Sequence, residues 1–305
     1  MSIQVGNAPA MPTSAASNSQ VLIDGRSYLE RYWDEAHLDD EDKFVLRFCH
    51  EAYCSEEFRD IFEDRSRPRV LVEVGGGPVV DKYLTAPAVI DKIYHLEPSD
   101  SARAEVHKFK GNLHDAFDWN LRFSYASELP SCQPLPENNL IDTLKERLRD
   151  CISYLGPLDL HSDAPMSAEL PLDISSDRVA VVSSHSCVEC ITTTRAEFDR
   201  VLAKIVSVCP VGGLLVMTFN TNTDGWSGGV AQRAIGAHRV TDGEVHEALK
   251  VHGFGRFKLV PHRSQGEETE MSSTLGVAAV RERIPTGGHF DDLSTWAPTN
   301  SLRSE

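Results

Sequence analysis

Short apolar runs and amphipathic stretches alternate along almost the whole chain. Runs at 69–74, 92–97, 155–160, 178–183, 213–219, 256–262 and 274–280 are rich in β-branched and aromatic residues and predict strands. Segments 25–34, 40–63, 79–86, 99–110, 138–153, 194–207 and 241–252 space their apolar residues as helices do. The longest, 40–63, sets Phe44, Phe48, Ala52, Phe58, Ile61 and Phe62 on or near one face. Strand–helix alternation predicts an α/β fold with a parallel, doubly wound sheet and helices on both faces. The last two strands lie too close in sequence for a full helix between them, so a terminal antiparallel hairpin is expected, making a mixed seven-stranded sheet. Residues 1–20 and 284–305 lack periodicity and read as tails, with Phe290 and Trp296 able to dock locally. Segments 131–139 and 162–176 read as loops edging a site. No internal repeat or linker divides residues 21–283, which are expected to form one domain.

Composition narrows the function. The 305 residues are 41% hydrophobic and 25% charged, as in an ordinary globular protein large enough for a full core. A net charge of −16 with no basic stripe argues against nucleic acid. No apolar run approaches the roughly 18–20 residues of a membrane span, and the N-terminus lacks the pattern of a secretory signal. Seven cysteines make no disulfide-rich framework and fit a reducing compartment, so a soluble cytoplasmic protein is expected. Cys187-Val188-Glu189-Cys190 is a C-x-x-C pair without a second ligand pair, and the histidines show no H-x-x-x-H or H-E-x-x-H spacing. No metal site is expected.

Chemistry concentrates in Val70-Leu71-Val72-Glu73-Val74-Gly75-Gly76-Gly77-Pro78. A buried strand breaks into three glycines, whose missing Cβ atoms let a ligand approach the backbone. The next strand ends at Glu97, 20 residues after Gly77, where a carboxylate can accept hydrogen bonds from both hydroxyls of a ribose. An adenosine-containing cofactor follows. A dinucleotide loop, G-x-G-x-x-G, would carry its third glycine at Val80. Pro78 also removes an N–H that a phosphate would use. The loop therefore suits a ligand without phosphates, S-adenosylmethionine (SAM), better than NAD.

Further pieces follow in a fixed order: Tyr28-Leu29-Glu30-Arg31-Tyr32-Trp33 before the loop; Ala116-Phe117-Asp118-Trp119 and Leu158-Asp159-Leu160 after Glu97; then Ser186-Cys187-Val188-Glu189 and Pro210-Val211-Gly212-Gly213. Together they resemble the family of nicotinamide, phenylethanolamine and thioether/indolethylamine N-methyltransferases, over residues 25–280. The resemblance implies a class I, Rossmann-like SAM-methyltransferase fold with an N-terminal helical lid over 21–66. It implies a cofactor set of Tyr28, Tyr32 and Trp33 from the lid, Gly75, Gly76 and Gly77 at the methionine part, Glu97 at the ribose, Asp159 and Leu160 at the adenine, and Ser183. Tyr28 would close over the methionine carboxylate. Glu189 matches the acid that binds the acceptor's amino group and is the candidate for taking its proton. Catalysis would involve Glu189, Tyr28, His185 and Asn220. A small-molecule acceptor is the expected partner, with the chain a monomer or weak homo-oligomer.

Three positions depart from the family. The acceptor-holding acid after the fifth strand would fall near Thr218 or Asn220, with no carboxylate before Asp224. Ala102 stands where Asn is frequent, and His185 where Ser or Thr is usual. These departures keep other readings open. The amino-acid arm of SAM could react instead of the methyl, by cyclisation to a cyclic amino acid or by aminocarboxypropyl transfer, releasing methylthioadenosine. SAM would be the sole substrate of the cyclisation. A catalytically silent SAM-binding protein is the non-enzyme reading.

Overall fold

A computed structural model of the chain describes residues 24–34, 36–130, 139–164, 170, 178–222, 238–263 and 273–284, with the backbone of 225–227 and 234–236. Both tails, the loop residues 131–138, 165–169 and 171–176, Asp224, Phe290 and Trp296 lie outside these described residues.

Seven strands form the central sheet: β1 (Arg69–Val74), β2 (Lys92–Leu96), β3 (Ile152–Gly156), β4 (Arg178–His185), β5 (Leu214–Thr221), β8 (Phe254–Arg263) and β9 (Ser273–Arg281). A two-stranded ribbon, β6 (Gly225–Ser227) with β7 (Ala234–Gly236), stands apart. The sheet order is β3-β2-β1-β4-β5-β9-β8, with β5–β9 and β9–β8 antiparallel and the other pairs parallel. The order reverses between β1 and β4. In an open α/β sheet the crevice beyond the carboxyl ends of strands at such a reversal is where ligands bind.

The helices are α1 (Gly25–Tyr32), α2 (Asp40–Cys54), α3 (Asp100–Lys110), α4 (Asn120–Glu128), α5 (Leu140–Cys151), α6 (Arg195–Ser207) and α7 (Asp242–Val251). One core layer sets Val45, Phe48, Cys49 and Tyr53 of α2 and Val106 and Phe109 of α3 against Leu71, Ile93 and Val216. The other sets Phe198, Val201, Leu202 and Ile205 of α6 and Val245 and Leu249 of α7 against Val70, Val72, Val182 and Met217. Strands buried on both faces explain why β1, β4 and β5 read as near-continuous apolar runs. Local signals set the helix starts. Asp39 caps α2 by accepting from the Asp42 N–H (2.7 Å), and Thr194 with Glu197 closes a capping box on α6.

Several elements differ from expectation. The helix expected over 40–63 stops at Cys54; Ser55 is extended, and the chain resumes as a 3₁₀ segment, Glu56–Phe62. Segment 79–86 forms only short 3₁₀ turns at Asp81–Tyr83 and Ala86–Ala88, where β-branched Val79, Val80 and Thr85 and then Pro87 disfavour a longer helix. β3 begins at Ile152, three residues before the expected strand, directly after α5 with no Gly or Pro to mark the boundary. Helix α4 was not expected. Its buried side chains are Arg122, Phe123 and Ala126, and an arginine in that set hides the stripe. Cys54 is disulfide-bonded, against the expectation of thiols kept reduced. No helix among the described residues is long and apolar enough to cross a membrane.

Candidate active site

The glycine turn leaves β1 beneath β2. Gly75 donates to Leu96 O (2.8 Å), and both Gly75 and Gly77 take positive φ, +66° and +60°, a conformation L side chains rarely adopt. A Cβ on Gly75 would stand 2.3 Å from Cys187 Sγ, so this turn touches the loop after β4. Glu97, at the tip of β2, is 5% exposed. Its Oε2 accepts from Gly77 N and its Oε1 from Ser99 N, both at 3.0 Å. Burial pushes this carboxyl up against those two bonds. A carboxylate offers about four acceptor sites, so about two remain for a ribose.

His95, which sequence reasoning passed over, is the support of the turn. Burial holds its imidazole down to about 4, so the ring is neutral. Nε2 lies 2.9 Å from the Gly77 carbonyl, which can only accept; Nε2 therefore carries the proton, and Nδ1 accepts from the Tyr83 hydroxyl at 3.0 Å. Its place in the apolar run of β2 disguised it. The readable signal was a histidine inside a buried strand two residues before Glu97.

Register places His95 and Ser183 on either side of Glu73, on one face of the sheet. Glu73 is fully buried, and burial pushes its carboxyl up to about 8. Ser183 Oγ donates to Glu73 Oε2, while Oε1 has no partner among the described residues. Two positions along β4 on the same face, His185 sits beside Thr218 of β5. Its Nδ1 is 3.2 Å from Thr218 Oγ1, its Nε2 is 4.0 Å from Glu73 Oε2, and burial lowers it to about 3. His185 is a neutral imidazole with Nε2 otherwise unpartnered.

The chain leaves β4 through Ser186, at φ +46°, whose N–H donates to Thr218 O (2.8 Å). That turn carries Glu189 back onto β5. Glu189 is fully buried; its Oε1 accepts from Asn220 N (2.7 Å), and Oε2 has no partner among the described residues. Burial pushes this carboxyl up to about 7. The structure thus brings together Glu189 and Asn220, two residues expected at the reaction site. Cys187 and Cys190 are buried with thiols raised by burial, the reverse of an activated thiolate.

Helix α1 packs against α3. Gly25 N donates to Ser101 Oγ (3.0 Å), and Arg26 pairs with Glu105 (2.8 Å) on α3. Tyr28 packs against Tyr32 and Trp33, with ring centroids 5.0 and 5.1 Å away. Burial pushes the Tyr28 phenol up, and Cys190, Tyr32, Asp81 and Glu97, all within electrostatic reach, push it the same way. Beneath α1 lies a charged cluster invisible in the sequence. Asp81 Oδ2 accepts from Trp33 Nε1 (2.8 Å), Arg122 Nε (3.2 Å) and Lys82 Nζ (3.4 Å). Arg122 also donates to Trp33 O and to both oxygens of Asp42. After β3, Leu160 is buried and Asp159 exposed. Asp159 Oδ1 accepts from His161 N and Ser162 N in the turn after β3.

The residues fit SAM: a glycine turn open to a ligand, the Glu97 carboxylate with spare lone pairs, the rings of Tyr28, Tyr32 and Trp33, and buried polar atoms with no partner among the described residues. Fold and site define a SAM-dependent methyltransferase of class I. Comparison with known proteins gives the family. The NNMT/PNMT/TEMT family profile matches residues 14–283, and the chain belongs to that family. Human phenylethanolamine N-methyltransferase is 25% identical over 258 residues, 81% of this chain and 85% of that protein. The pig phenylethanolamine enzyme is 28% identical over 195 residues, 61% of this chain and 62% of its own length. Human nicotinamide N-methyltransferase is 23% identical over 194 residues, 63% of this chain and 67% of that protein. Among solved structures, magnesium protoporphyrin IX methyltransferase from Synechocystis PCC 6803 with bound SAM aligns at TM-score 0.41 and 10% identity. That alignment covers 86% of this chain and 100% of the other, a likeness too distant to argue from.

Proposed function

We propose that this chain methylates a nitrogen of a small molecule that enters as a neutral base, such as a pyridine or a weakly basic amine. SAM, when bound, supplies a sulfonium-activated methyl group. The observation that carries the reading is Glu189: a buried carboxyl, one oxygen fixed by the Asn220 N–H and the other unpartnered. Raised to about 7, it can accept a proton from an attacking amine near neutral pH. His185 offers a neutral nitrogen beside Thr218, and Glu73, raised to about 8, is protonated at neutral pH. Among the described residues, β4 and β5 carry no carboxylate, and the acid that reaches this region is Glu189 from the turn after β4, which favours a neutral acceptor over an ammonium ion. Tyr28, Tyr32 and Trp33 form the aromatic face that shields the sulfonium; Gly75, Gly76, Gly77, Glu97, Asp159, Leu160 and Ser183 complete the cofactor set.

In the same reading, residues 21–283 are one functional unit with a lid over 21–66. The protein works in the cytoplasm on a small molecule, as a monomer or weak homo-oligomer, with the bonded Cys54 an exception beside the free thiols of Cys49, Cys151, Cys187, Cys190 and Cys209. Incubating it with SAM labelled in the methyl group and a panel of pyridines and arylethylamines tests the reaction by mass spectrometry. Label on an acceptor nitrogen with release of S-adenosylhomocysteine supports it; labelled methylthioadenosine contradicts it. Glu189→Gln should lower kcat by about 100-fold with a primary amine and far less with a pyridine, which has no proton to lose.

A further inference from the structure

We propose that Asp81 is the receptor for the α-ammonium group of the cofactor's amino-acid arm, with Lys82 facing its α-carboxylate. This rests on the reading of the site as a SAM site. Asp81 opens the 3₁₀ turn four residues beyond Gly77, and its side chain is 1% exposed. All of its protein donors converge on one oxygen: Trp33 Nε1, Arg122 Nε and Lys82 Nζ reach Oδ2. Oδ1, equally buried, has no partner among the described residues. A carboxylate serving only to tie the lid down would spread three donors over two oxygens, because a bare buried acceptor is costly. The lopsided arrangement leaves one anionic oxygen for a donor the protein does not supply.

Position and charge point to which donor. Asp81 bonds Trp33, whose ring packs on Tyr28 with centroids 5.1 Å apart, and the Tyr28 phenol feels both Asp81 and Glu97, so the two acids border one aromatic cluster. Gly77 bonds Glu97 and leads within four residues to Asp81, so a nucleoside held by its ribose at Glu97 would bring its 5′ substituent along this turn to reach Asp81. Burial pushes the Asp81 carboxyl up, but Lys82, Arg122 and the Trp33 bond overcome this and keep it ionised. Asp81 and Asp42 balance Lys82 and Arg122, so a zwitterionic arm adds no net charge to the buried cluster. Lys82 Nζ keeps two further N–H donors for a carboxylate after its bond to Asp81.

Titration calorimetry with three ligands tests this without turnover: S-adenosylhomocysteine, its analogue lacking the α-amino group, and methylthioadenosine. The wild-type protein should bind S-adenosylhomocysteine about 30-fold more tightly than the deaminated analogue, the scale of a buried charge-assisted hydrogen bond. Asp81→Asn, whose amide can still accept from Trp33 but turns an N–H₂ toward the ligand, should erase that preference while binding methylthioadenosine within about 3-fold of wild type. A wild-type protein that binds both homocysteine ligands equally overturns the proposal without any variant. Equal losses for all three ligands in Asp81→Asn overturn it too, assigning Asp81 to the lid alone. If the wild-type protein binds none of the three, the SAM reading itself fails.

Discussion

Replacing Arg122 with methionine would keep much of the side chain's volume and remove the one cation that joins α4, the end of α1, the start of α2 and the turn after the glycines. Arg122 is 2% exposed, and it neutralises Asp81, 1% exposed, and Asp42, 18% exposed. Without it, Lys82 alone faces two carboxylates, and the Trp33 carbonyl loses its donor. Breaking a buried pair from one side costs about 3–5 kcal/mol. The lower end applies here, because Asp42 keeps some water and Lys82 stays with Asp81. About 3 kcal/mol corresponds to a fall in Tm of roughly 6–12 °C for a domain of this size. The effect carries a pH signature. Asp81 is held low in the folded protein, so its stabilisation is present above the ordinary carboxylate range and lost as pH falls through its folded value. Removing Arg122 raises that folded value, so the variant recovers relative to wild type as pH drops from 7.5 to about 5. Thermal melts followed by circular dichroism at both pH values read this out. A loss below about 1 kcal/mol at pH 7.5, or a deficit unchanged at pH 5, would refute the reasoning that the cluster is an electrostatic latch.

Other consequences can be checked together. Glu73 has a folded value raised to about 8 by burial, so its contribution to stability is complete below the unfolded carboxylate range and lost as pH rises toward 8. Glu73→Gln should therefore gain on wild type by about 2 kcal/mol between pH 6 and 9 in denaturant titrations; parallel pH profiles would contradict this. Gly76→Ala drives a Cβ to 2.5 Å from the His95 ring and 2.8 Å from Glu73 Cγ, so it should cost about 1–3 kcal/mol and weaken adenosine ligands. A fully stable variant with wild-type affinity would show the turn is more pliant than its packing suggests. Glu97→Ala should weaken S-adenosylhomocysteine and methylthioadenosine alike, by at least about 10-fold, in contrast to the selective effect expected at Asp81. Unchanged calorimetric affinities would remove Glu97 from the ribose.

What the sequence disclosed depended on how far each signal reaches along the chain. β1, β4 and β5 were legible because burial on both faces favours near-continuous apolar runs, broken here by Glu73, Ser183 and Thr218. The glycine turn and Glu97 were legible because their spacing reflects adjacent parallel strands. β3 was misplaced because α5 runs into it at Cys151–Ile152 without a stop residue, and the later apolar positions Leu158 and Leu160 imitated a strand. Helix α4 was missed because Arg122 occupies a core position. The site followed the same rule. Tyr28, Glu189 and Asn220 stood in recognisable segments, and the structure joins the last two by a hydrogen bond. The Asp81–Arg122–Asp42 cluster joins residues 41 and 80 positions apart, each an ordinary charge in its own segment. Only packing at the crevice makes them partners.

The most direct test of the account is the identity of what leaves SAM. With methyl-labelled SAM, purified protein and the acceptor panel, chromatography with mass spectrometry should find S-adenosylhomocysteine in equal amount to an N-methylated product. Release of methylthioadenosine with the label still on sulfur would mean that the amino-acid arm reacts instead, and would contradict the account.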